Sequence, residues 1–348
     1  MIKRKKTRVI NVGGVRIGGA NPIAIQSMTN HPTSDVVKTV AQIKALTNAG
    51  CEIVRVAVKS ESDACAIKQI KRRIGIPIVA DIHFDHRLAL LSIKNGADKI
   101  RLNPGNIRGR DEIVSVIKAA KSRGVPIRIG VNSGSLEGRR LAGLSQGLVR
   151  SAVGYVKLFE ELRFRDIILS LKGSDVVSTI EAYKKVSGIC DYPLHLGITA
   201  SGPYDTGIVK SSIGIGALLA EGIGDTIRVS LTADPVDEVT VGRTILSSLN
   251  IRRFGPEILS CPTCGRCQVD LIAIVNGLQK KLSSMRDKNR FKTTTIAVMG
   301  CEVNGPGEAK EADIGVAFGK NSGMLFKKGK IIRKIASKNA IMEILKNL

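Results

Sequence analysis

Apolar residues recur along the first two thirds of the chain as short runs at near-even spacing. They are Ile23-Ala24-Ile25, Ile53-Val54-Arg55-Val56, Ile76-Pro77-Ile78-Val79-Ala80, Lys99-Ile100-Arg101-Leu102, Ile127-Arg128-Ile129-Gly130, Ile167-Ile168-Leu169-Ser170, Leu194-His195-Leu196-Gly197 and Thr226-Ile227-Arg228-Val229. Between them lie stretches with helical spacing, for example Val36, Val40, Ile43, Leu46 and Ala49, or Ile113, Val116, Ile117 and Ala120. Runs that are nearly all apolar suit strands covered on both faces, so strands alternating with helices predict a parallel sheet. Eight such units by residue 250 predict closure into a (β/α)8 TIM barrel over residues 1–250, in preference to a doubly wound open sheet.

After Leu249 the rhythm changes. Arg252-Arg253-Phe254-Gly255-Pro256 reads as a linker. A strand at Glu257–Ser260, a helix over 269–285, strands at Thr294–Met299 and Ile314–Phe318, and a closing helix over 332–348 predict a small α+β domain at 251–348. The fold class is therefore α/β, a TIM barrel followed by a small α+β domain.

In a barrel of this kind the chemistry sits at the C-terminal ends of the strands. The polar residues there are Gln26-Ser27, Arg55, Asp81 and His83, then Arg101 with Asn103-Pro104-Gly105-Asn106, Arg128 with Asn132-Ser133-Gly134-Ser135, Ser170, Lys172 and Asp175, His195 and Thr199, and Arg228 with Ser230. Four strands carry an arginine where an apolar residue would be cheaper to bury. Some of these can pair with Asp81, Asp175 or another carboxylate at the mouth. Four together point to a multiply charged anion, and a diphosphate suits the planar guanidinium fork better than one carboxylate. His83 and His195 can donate to such a ligand or move protons, and Asp81 shares a strand face with His83. Ile213-Gly214-Ile215-Gly216 lacks the full dinucleotide fingerprint and reads as packing or a tight turn.

Composition adjusts this picture. Aromatic residues are 3% and Trp is absent, so Ile, Val, Leu and Ala fill the core. Lys and Arg number 54 against 30 Asp and Glu, a net charge of +24, which admits polyanionic partners. A nucleic-acid binder with a zinc ribbon fits poorly, because aromatics for base stacking are scarce and the arginines lie at strand ends. The basic N-terminus lacks the apolar stretch of a secretory signal, and no run is long and apolar enough for a membrane span. The expected location is the cytoplasm, where clustered cysteines serve metal or redox chemistry more often than disulfides.

Four of the seven cysteines fall in Cys261-Pro262-Thr263-Cys264-Gly265-Arg266-Cys267 and Gly300-Cys301. A C-x-x-C turn presents two sulfurs on one loop, and a thiolate from another strand can close the site. From spacing alone the ligands are Cys261, Cys264, Cys267 and Cys301, on zinc or an iron–sulfur cluster, with Glu308 of the Asn304-Gly305-Pro306-Gly307-Glu308 turn as a possible oxygen ligand. Cys51, Cys65 and Cys190 read as packing residues. A barrel lyase or transferase with a structural zinc in its tail is the rival reading.

Gln26-Ser27-Met28-Thr29-Asn30, Ala80-Asp81-Ile82-His83-Phe84-Asp85, Arg101-Leu102-Asn103-Pro104-Gly105-Asn106, His195-Leu196-Gly197-Ile198-Thr199, Cys261-Pro262-Thr263-Cys264 and Asn304-Gly305-Pro306-Gly307-Glu308, in this order and over essentially the whole chain, resemble the bacterial 4-hydroxy-3-methylbut-2-enyl diphosphate synthases. The resemblance implies reductive ring opening and dehydroxylation of 2-C-methyl-D-erythritol 2,4-cyclodiphosphate in the non-mevalonate isoprenoid pathway. Reduced flavodoxin or ferredoxin would supply two electrons. It implies a [4Fe-4S] cluster on Cys261, Cys264, Cys301 and Glu308, which leaves Cys267 outside, and an exchangeable carboxylate at the reacting iron. Asp81 and His83 join Glu308 as catalytic candidates. Arg55, Arg101, Asn103, Arg128, Asn132, Lys172, His195, Lys210 and Arg228 are the candidates for holding substrate. The resemblance also implies a homodimer in which the small domain of one subunit covers the barrel of the other. The chain departs from the family pattern at Ala200, where members often have Glu, in a short loop over 137–147, and in the extra thiol of Cys267.

Overall fold

The computed structural model describes residues 2–103, 107, 109–135, 143–285 and 291–348, so Pro104, Gly105 and Asn106 and most of the loop over 137–147 lie outside the described residues. The chain divides into two compact units, Met1–Arg252 and Arg253–Leu348.

The first unit opens with a hairpin, β1 (Ile10–Val12) and β2 (Val15–Ile17), that the sequence pattern did not reveal. Gly13 and Gly14 take φ of 54° and 97°, which a two-residue turn of this hand requires and which a side chain resists. Ile10, Val12 and Ile17 pack on Ala24, Ile53, Val79 and Ile168, sealing the N-terminal end of the barrel with apolar residues.

The barrel then follows as β3 (Ala24–Met28), α1 (Val36–Ala49), β4 (Ile53–Ala57), α2 (Glu61–Lys71), β5 (Ile78–Ile82), α3 (His86–Lys94), β6 (Lys99–Leu102), α4 (Arg110–Arg123), β7 (Ile127–Asn132), α5 (Leu144–Glu161), β8 (Ile167–Lys172), α6 (Val176–Ile189), β9 (His195–Leu196), α7 (Tyr204–Ala220), β10 (Thr226–Ile227) and α8 (Pro235–Ser248). The parallel strands run β8-β7-β6-β5-β4-β3-β10-β9. A bridge between Leu169 and Leu194 joins β8 to β9, so the sheet closes rather than staying open. Helix starts follow local chemistry: the side chains of Asp35, Ser60, Asp85, Asp175 and Asp234 accept from backbone N–H groups of the first turn. Asp175 is thus a helix cap and not a partner of the barrel arginines. Gly214 lies inside α7, where a Cβ would come 2.5 Å from Ile198 Cδ1, so it serves close helix packing and not a turn.

In the second unit β11 (Glu257–Ser260), α9 (Leu271–Ser284), β12 (Thr295–Met299), α10 (Gly305–Glu311), β13 (Ile314–Gly319), β14 (Ser322–Lys327), β15 (Lys330–Ala336) and α11 (Ala340–Asn347) build one five-stranded sheet in that strand order. Period-two alternation gives it two buried faces. Ile296, Val298, Val316 and Phe318 meet Leu278, Leu282 and Ile344 on one side, while Ala297, Met299 and Ala317 meet Ala309 and Ala312 on the other. The predicted closing helix over 332–348 is half wrong. Its first part is the edge strand β15, paired antiparallel to β14 through a turn at Lys328 and Gly329 with φ of 48° and 77°. Among the described residues no helix is long and apolar enough to cross a membrane.

Helix α10 seats against β13 at Gly315, where a Cβ would stand 2.4 Å from the Ala309 carbonyl oxygen. Gly315→Ala is expected to push α10 off the sheet and lower stability by about 1–3 kcal/mol. A denaturant titration checks this, and an unchanged midpoint would show that the helix gives way freely.

Candidate active site

Alternation along each strand turns one residue in two toward the barrel axis, and in this chain those positions are cationic. Asp81, on β5, is the hub of the mouth. Its Oδ1 accepts from Arg101 Nη1 at 3.0 Å, Arg55 Nε stands 3.7 Å from its Oδ2, and His83 Nε2 lies 3.3 Å from the same oxygen. Arg101 Nη1 is also 3.2 Å from His83 Nε2, and Nη2 donates to the Gly130 carbonyl at 3.3 Å. Glycine at residue 130 lets the guanidinium lie close against the strand, since a Cβ there would come 2.6 Å from Arg101 Nε. Asn132, with its amide oxygen turned to the guanidinium, accepts from Arg101 Nη2 at 3.2 Å.

Burial by itself would raise the Asp81 carboxyl, but Arg55, the hydrogen bond from His83 and Arg101 together hold it well below the usual carboxylate range. Burial pushes Arg55 down to about 10, against the pull of Asp81 and with Arg228 and Arg101 adding to the push. Arg228 has its own carboxylate, donating to Glu238 through Nε at 3.3 Å and Nη2 at 3.2 Å. Three of the four strand arginines therefore have a carboxylate beside them.

Removing the hub leaves Arg55 and Arg101 buried without it. Asp81→Asn is expected to destabilise the protein by about 3–5 kcal/mol at neutral pH, the size seen when one partner of a buried pair is removed. The folded carboxyl lies below its unfolded value of about 3.9, so its contribution is complete above that pH and fades as pH falls toward the folded value. Paired melts from pH 7 to pH 3 test this, and a gap that closes already between pH 7 and 5 contradicts it.

Arg128 differs from its three counterparts. It is 1% exposed, and its Nε and Nη1 have no hydrogen-bond partner among the described residues. Burial, Arg55 and Arg101 all press its pKa well down. Lys172 is buried, and burial followed by Arg128 and Arg228 drives its pKa far below the ordinary value. His195 is fully buried, with Nδ1 2.7 Å from Thr226 Oγ1 and Nε2 unpartnered among the described residues. Burial, Arg128, Lys172 and Lys99 lower its pKa, so the ring is neutral near pH 7. Asn103 is buried at the end of β6. Lys210 is not brought into this cluster; it lies exposed on α7, in the outer ring of helices. A cavity of about 790 Å³ opens beside Asp81 and His83, lined also by Thr29, Lys59 and Phe84.

Two residues that matter to the lumen charges were not foreseen. Lys99 shares the inward face of β6 with Arg101, two positions earlier, and that spacing was the available signal. Glu238, on α8, also accepts from Ser27 Oγ at 3.0 Å and from the Leu231 N–H at 3.0 Å.

The cysteines of the second unit gather at one end of its sheet. Strands β11 and β12 run parallel with Ser260 opposite Val298, so Cys261 and Gly300-Cys301 leave the sheet side by side. The Gly300 N–H donates to Cys261 Sγ at 3.2 Å. The backbone N–H of Arg266 holds the exposed Cys264 thiol below its ordinary range, and its guanidinium adds to this. Backbone N–H groups of Val303, Asn304 and Gly305 do the same for Cys301. The turn predicted at 304–308 is the start of α10, with Glu308 in its first turn. Cys267 turns inward, where its Sγ donates to the Val269 carbonyl at 3.2 Å and would lie 2.5 Å from a Cβ at residue 300. Cys51 is a buried packing residue whose thiol burial raises to about 12. Cys65 is exposed on α2, so its reading as a packing residue fails.

Comparison with known proteins joins the two units. The GcpE TIM-barrel domain matches residues 7–243 and the GcpE protein C-terminal domain residues 257–348. The 4-hydroxy-3-methylbut-2-en-1-yl diphosphate synthase (flavodoxin) of Caldanaerobacter subterraneus subsp. tengcongensis is 56% identical over 100% of this chain and 98% of that protein. The enzyme of the same name from Ruminiclostridium cellulolyticum is 54% identical over 100% and 98%, and that of Bacillus subtilis 52% over 99% and 91%. Among solved structures, dihydropteroate synthase from Stenotrophomonas maltophilia superposes with a TM-score of 0.53 at 14% identity, over 69% of this chain and 98% of that one. At that identity the likeness speaks for the fold alone. With both of its domains matched and full-length relatives above half identity, the chain belongs to the GcpE family.

Proposed function

We propose that this chain opens 2-C-methyl-D-erythritol 2,4-cyclodiphosphate reductively and removes a hydroxyl, forming 4-hydroxy-3-methylbut-2-en-1-yl diphosphate in the non-mevalonate isoprenoid pathway, with reduced flavodoxin as electron donor. The observation that carries this reading is the cation surplus inside the barrel. Arg55, Arg101, Arg128, Lys172 and Arg228 face only Asp81 and Glu238 among the carboxylates described around them. A buried cation without a counter-charge is unfavourable, so the lumen is built to receive an anion, and a diphosphate supplies both charge and acceptor oxygens for planar guanidinium forks.

The donor chemistry of the second unit supports an iron–sulfur cluster, while among the described residues no three of its Cys, His, Asp or Glu side chains stand close enough to share a metal ion. Two thiols are held toward thiolate by backbone N–H groups, a third accepts from Gly300, and Glu308 follows in the first turn of α10. Cys261, Cys264, Cys301 and Glu308 would hold a [4Fe-4S] cluster there, with Glu308 as the harder, more readily exchanged donor. Cys267 is engaged with Val269 and packed inward, which supports leaving it out of the set. Bound at these residues, the cluster supplies electrons to the substrate one at a time.

The barrel residues supply the rest. Arg55, Arg101, Arg128, Lys172 and Arg228 bind and orient the diphosphate, and Asn103, Asn132 and neutral His195 line its surroundings. Removing an oxygen as water consumes protons at the same place. His83, held by Asp81 and Arg101 at the edge of the mouth, is positioned to move one. All seven cysteines are free thiols, as suits the cytoplasm, where we place the protein. We also place it in a homodimer whose sites draw on both chains.

Anaerobic purification with iron, sulfide and zinc analysis, followed by turnover of the cyclic diphosphate with a chemical reductant, tests the reading. About four iron per chain and product formation are expected. Stoichiometric zinc without iron would instead support the lyase or transferase with a structural metal. For the dimer, mixing an Arg128→Met chain with a Cys301→Ser chain is expected to restore part of the activity that each lacks alone, and no recovery argues against a shared site.

A further inference from the structure

Beneath the diphosphate-binding arginines the barrel holds a lysine that the chemistry above leaves unused. Lys99 is fully buried and faces the lumen from β6. Its Nζ has one hydrogen-bond partner among the described residues, Gln26 Oε1 of β3 at 3.4 Å, and no carboxylate. Its charged neighbours are Arg55 of β4 and Arg128 of β7, with His195 of β9 close enough to feel its charge. Asp81 of β5, the nearest inward carboxylate along the sheet, is already engaged by Arg55, Arg101 and His83. Gln26 Nε2, Arg128 Nε and Nη1, and His195 Nε2 are buried without partners among the described residues. Among the described residues the tier is therefore rich in donors and holds no negative charge of its own.

We propose that Lys99 is a positioning residue that matches charge beneath the diphosphate: a neutral amine while the barrel holds no anion, it takes one proton from solvent as the substrate binds and then keeps Arg128 directed at the phosphate oxygens. This rests on the diphosphate reading of the site. An ammonium surrounded by guanidinium groups out of water is disfavoured by burial and by like charge, and its depressed pKa follows from both. Entry of a dianion cancels the surplus of positive charge left by the four guanidinium groups over Asp81 and Glu238 and so shifts the balance toward the charged form. The substrate cannot hide this uptake, because each phosphorus of the cyclic diphosphate carries one ester and one anhydride linkage, and the single acidic oxygen that remains is ionised throughout the neutral range. Lys172 and His195 in the lumen and His83 at its mouth are the other groups that can hold a proton there, and a variant at residue 99 tells Lys99 apart from them.

The experiment is calorimetric titration of the oxidised holoenzyme, which cannot turn over, with the cyclic diphosphate in buffers of different ionisation enthalpy from pH 7 to 8.5. Wild type is expected to take up about one proton more per site than Lys99→Met, and its affinity to weaken about tenfold more per pH unit as pH rises. The Lys99→Met variant is expected to melt no lower than wild type, since it loses no charged pair, and to bind at least about 30-fold more weakly at pH 7, as a proton uptake that persists to pH 8.5 requires. Equal uptake in both proteins places the proton on another group of the site and overturns the proposal, as does a wild type that takes up none. The same titration with inorganic pyrophosphate separates the two readings. Pyrophosphate binding with uptake that depends on Lys99, where the cyclic diphosphate does not bind, removes the substrate reading and keeps the role of Lys99. Binding and turnover of the cyclic diphosphate without such uptake does the reverse.

Discussion

Cys301→Ser is expected to lose the iron and sulfide of the second unit and to abolish turnover, while Cys267→Ser keeps both within about twofold of wild type. The difference lies in what each sulfur faces. Cys301 stands at the end of β12 under the N–H groups of Val303, Asn304 and Gly305, which stabilise a thiolate. A serine hydroxyl there stays protonated near neutral pH and binds iron poorly, so a cluster held by two thiolates and a carboxylate is not retained. Cys267 instead donates to the Val269 carbonyl and packs in the apolar cluster around Leu271 and Leu278, and serine can make the same hydrogen bond. Iron and sulfide analysis with the visible absorption of the anaerobic proteins decides the matter. Loss of iron in Cys267→Ser with retention in Cys301→Ser would restore the four-cysteine reading drawn from spacing alone.

The barrel was legible because buried parallel strands are nearly continuous apolar runs, and every one of the eight coincides with a strand of the closed sheet. Even β9 and β10, two residues each, were visible through their apolar flanks. The β1–β2 hairpin was missed because three-residue strands leave too short a pattern to separate from a loop, and only Gly13-Gly14 marks the turn. In β15, Ile331, Ile332 and Ile335 fall at a spacing that imitates a helical stripe. The edge position leaves Ile331 and Ile332 exposed and buries only Ile335, so burial against one neighbour, and not periodicity, decided the element.

At the site, alternation placed Asp81 beside His83 and the arginines in the lumen, because a strand fixes side-chain direction to within one of two faces. It could not say which arginine would lack a carboxylate. Glu238 reaches Arg228 from a helix after the last strand, and Asp175 was spent on capping α6. Lys210 had no strand to fix its direction, and it points away on α7. Lys99 was passed over since a lysine at the start of a strand is ordinarily solvated, whereas here the hairpin below closes that end of the barrel.

Arg128→Met is expected to raise KM for the cyclic diphosphate by about 100-fold or more and, at the same time, to raise the melting temperature of the substrate-free protein. Both follow from one fact: the guanidinium is buried at 1% exposure, with two nitrogens unpartnered among the described residues. Without an anion it carries the penalty of an uncompensated charge, and methionine, similar in length and apolar, removes that penalty while filling the space. A gain of about 1–3 kcal/mol corresponds to a rise of several degrees for a unit of this size. With a diphosphate in place the balance inverts, since each charge-assisted hydrogen bond is worth about 1.5–3 kcal/mol and a planar fork makes two. Losing both amounts to about 3–4 kcal/mol or more, which is the 100-fold or greater change in KM. Ligand addition gives an independent readout: pyrophosphate should raise the melting temperature of wild type by mass action and leave that of the variant nearly fixed. A variant that melts lower than wild type and keeps its KM would make Arg128 a structural residue. A stability gain coupled to a binding loss instead identifies a charge kept in the core for the ligand it meets.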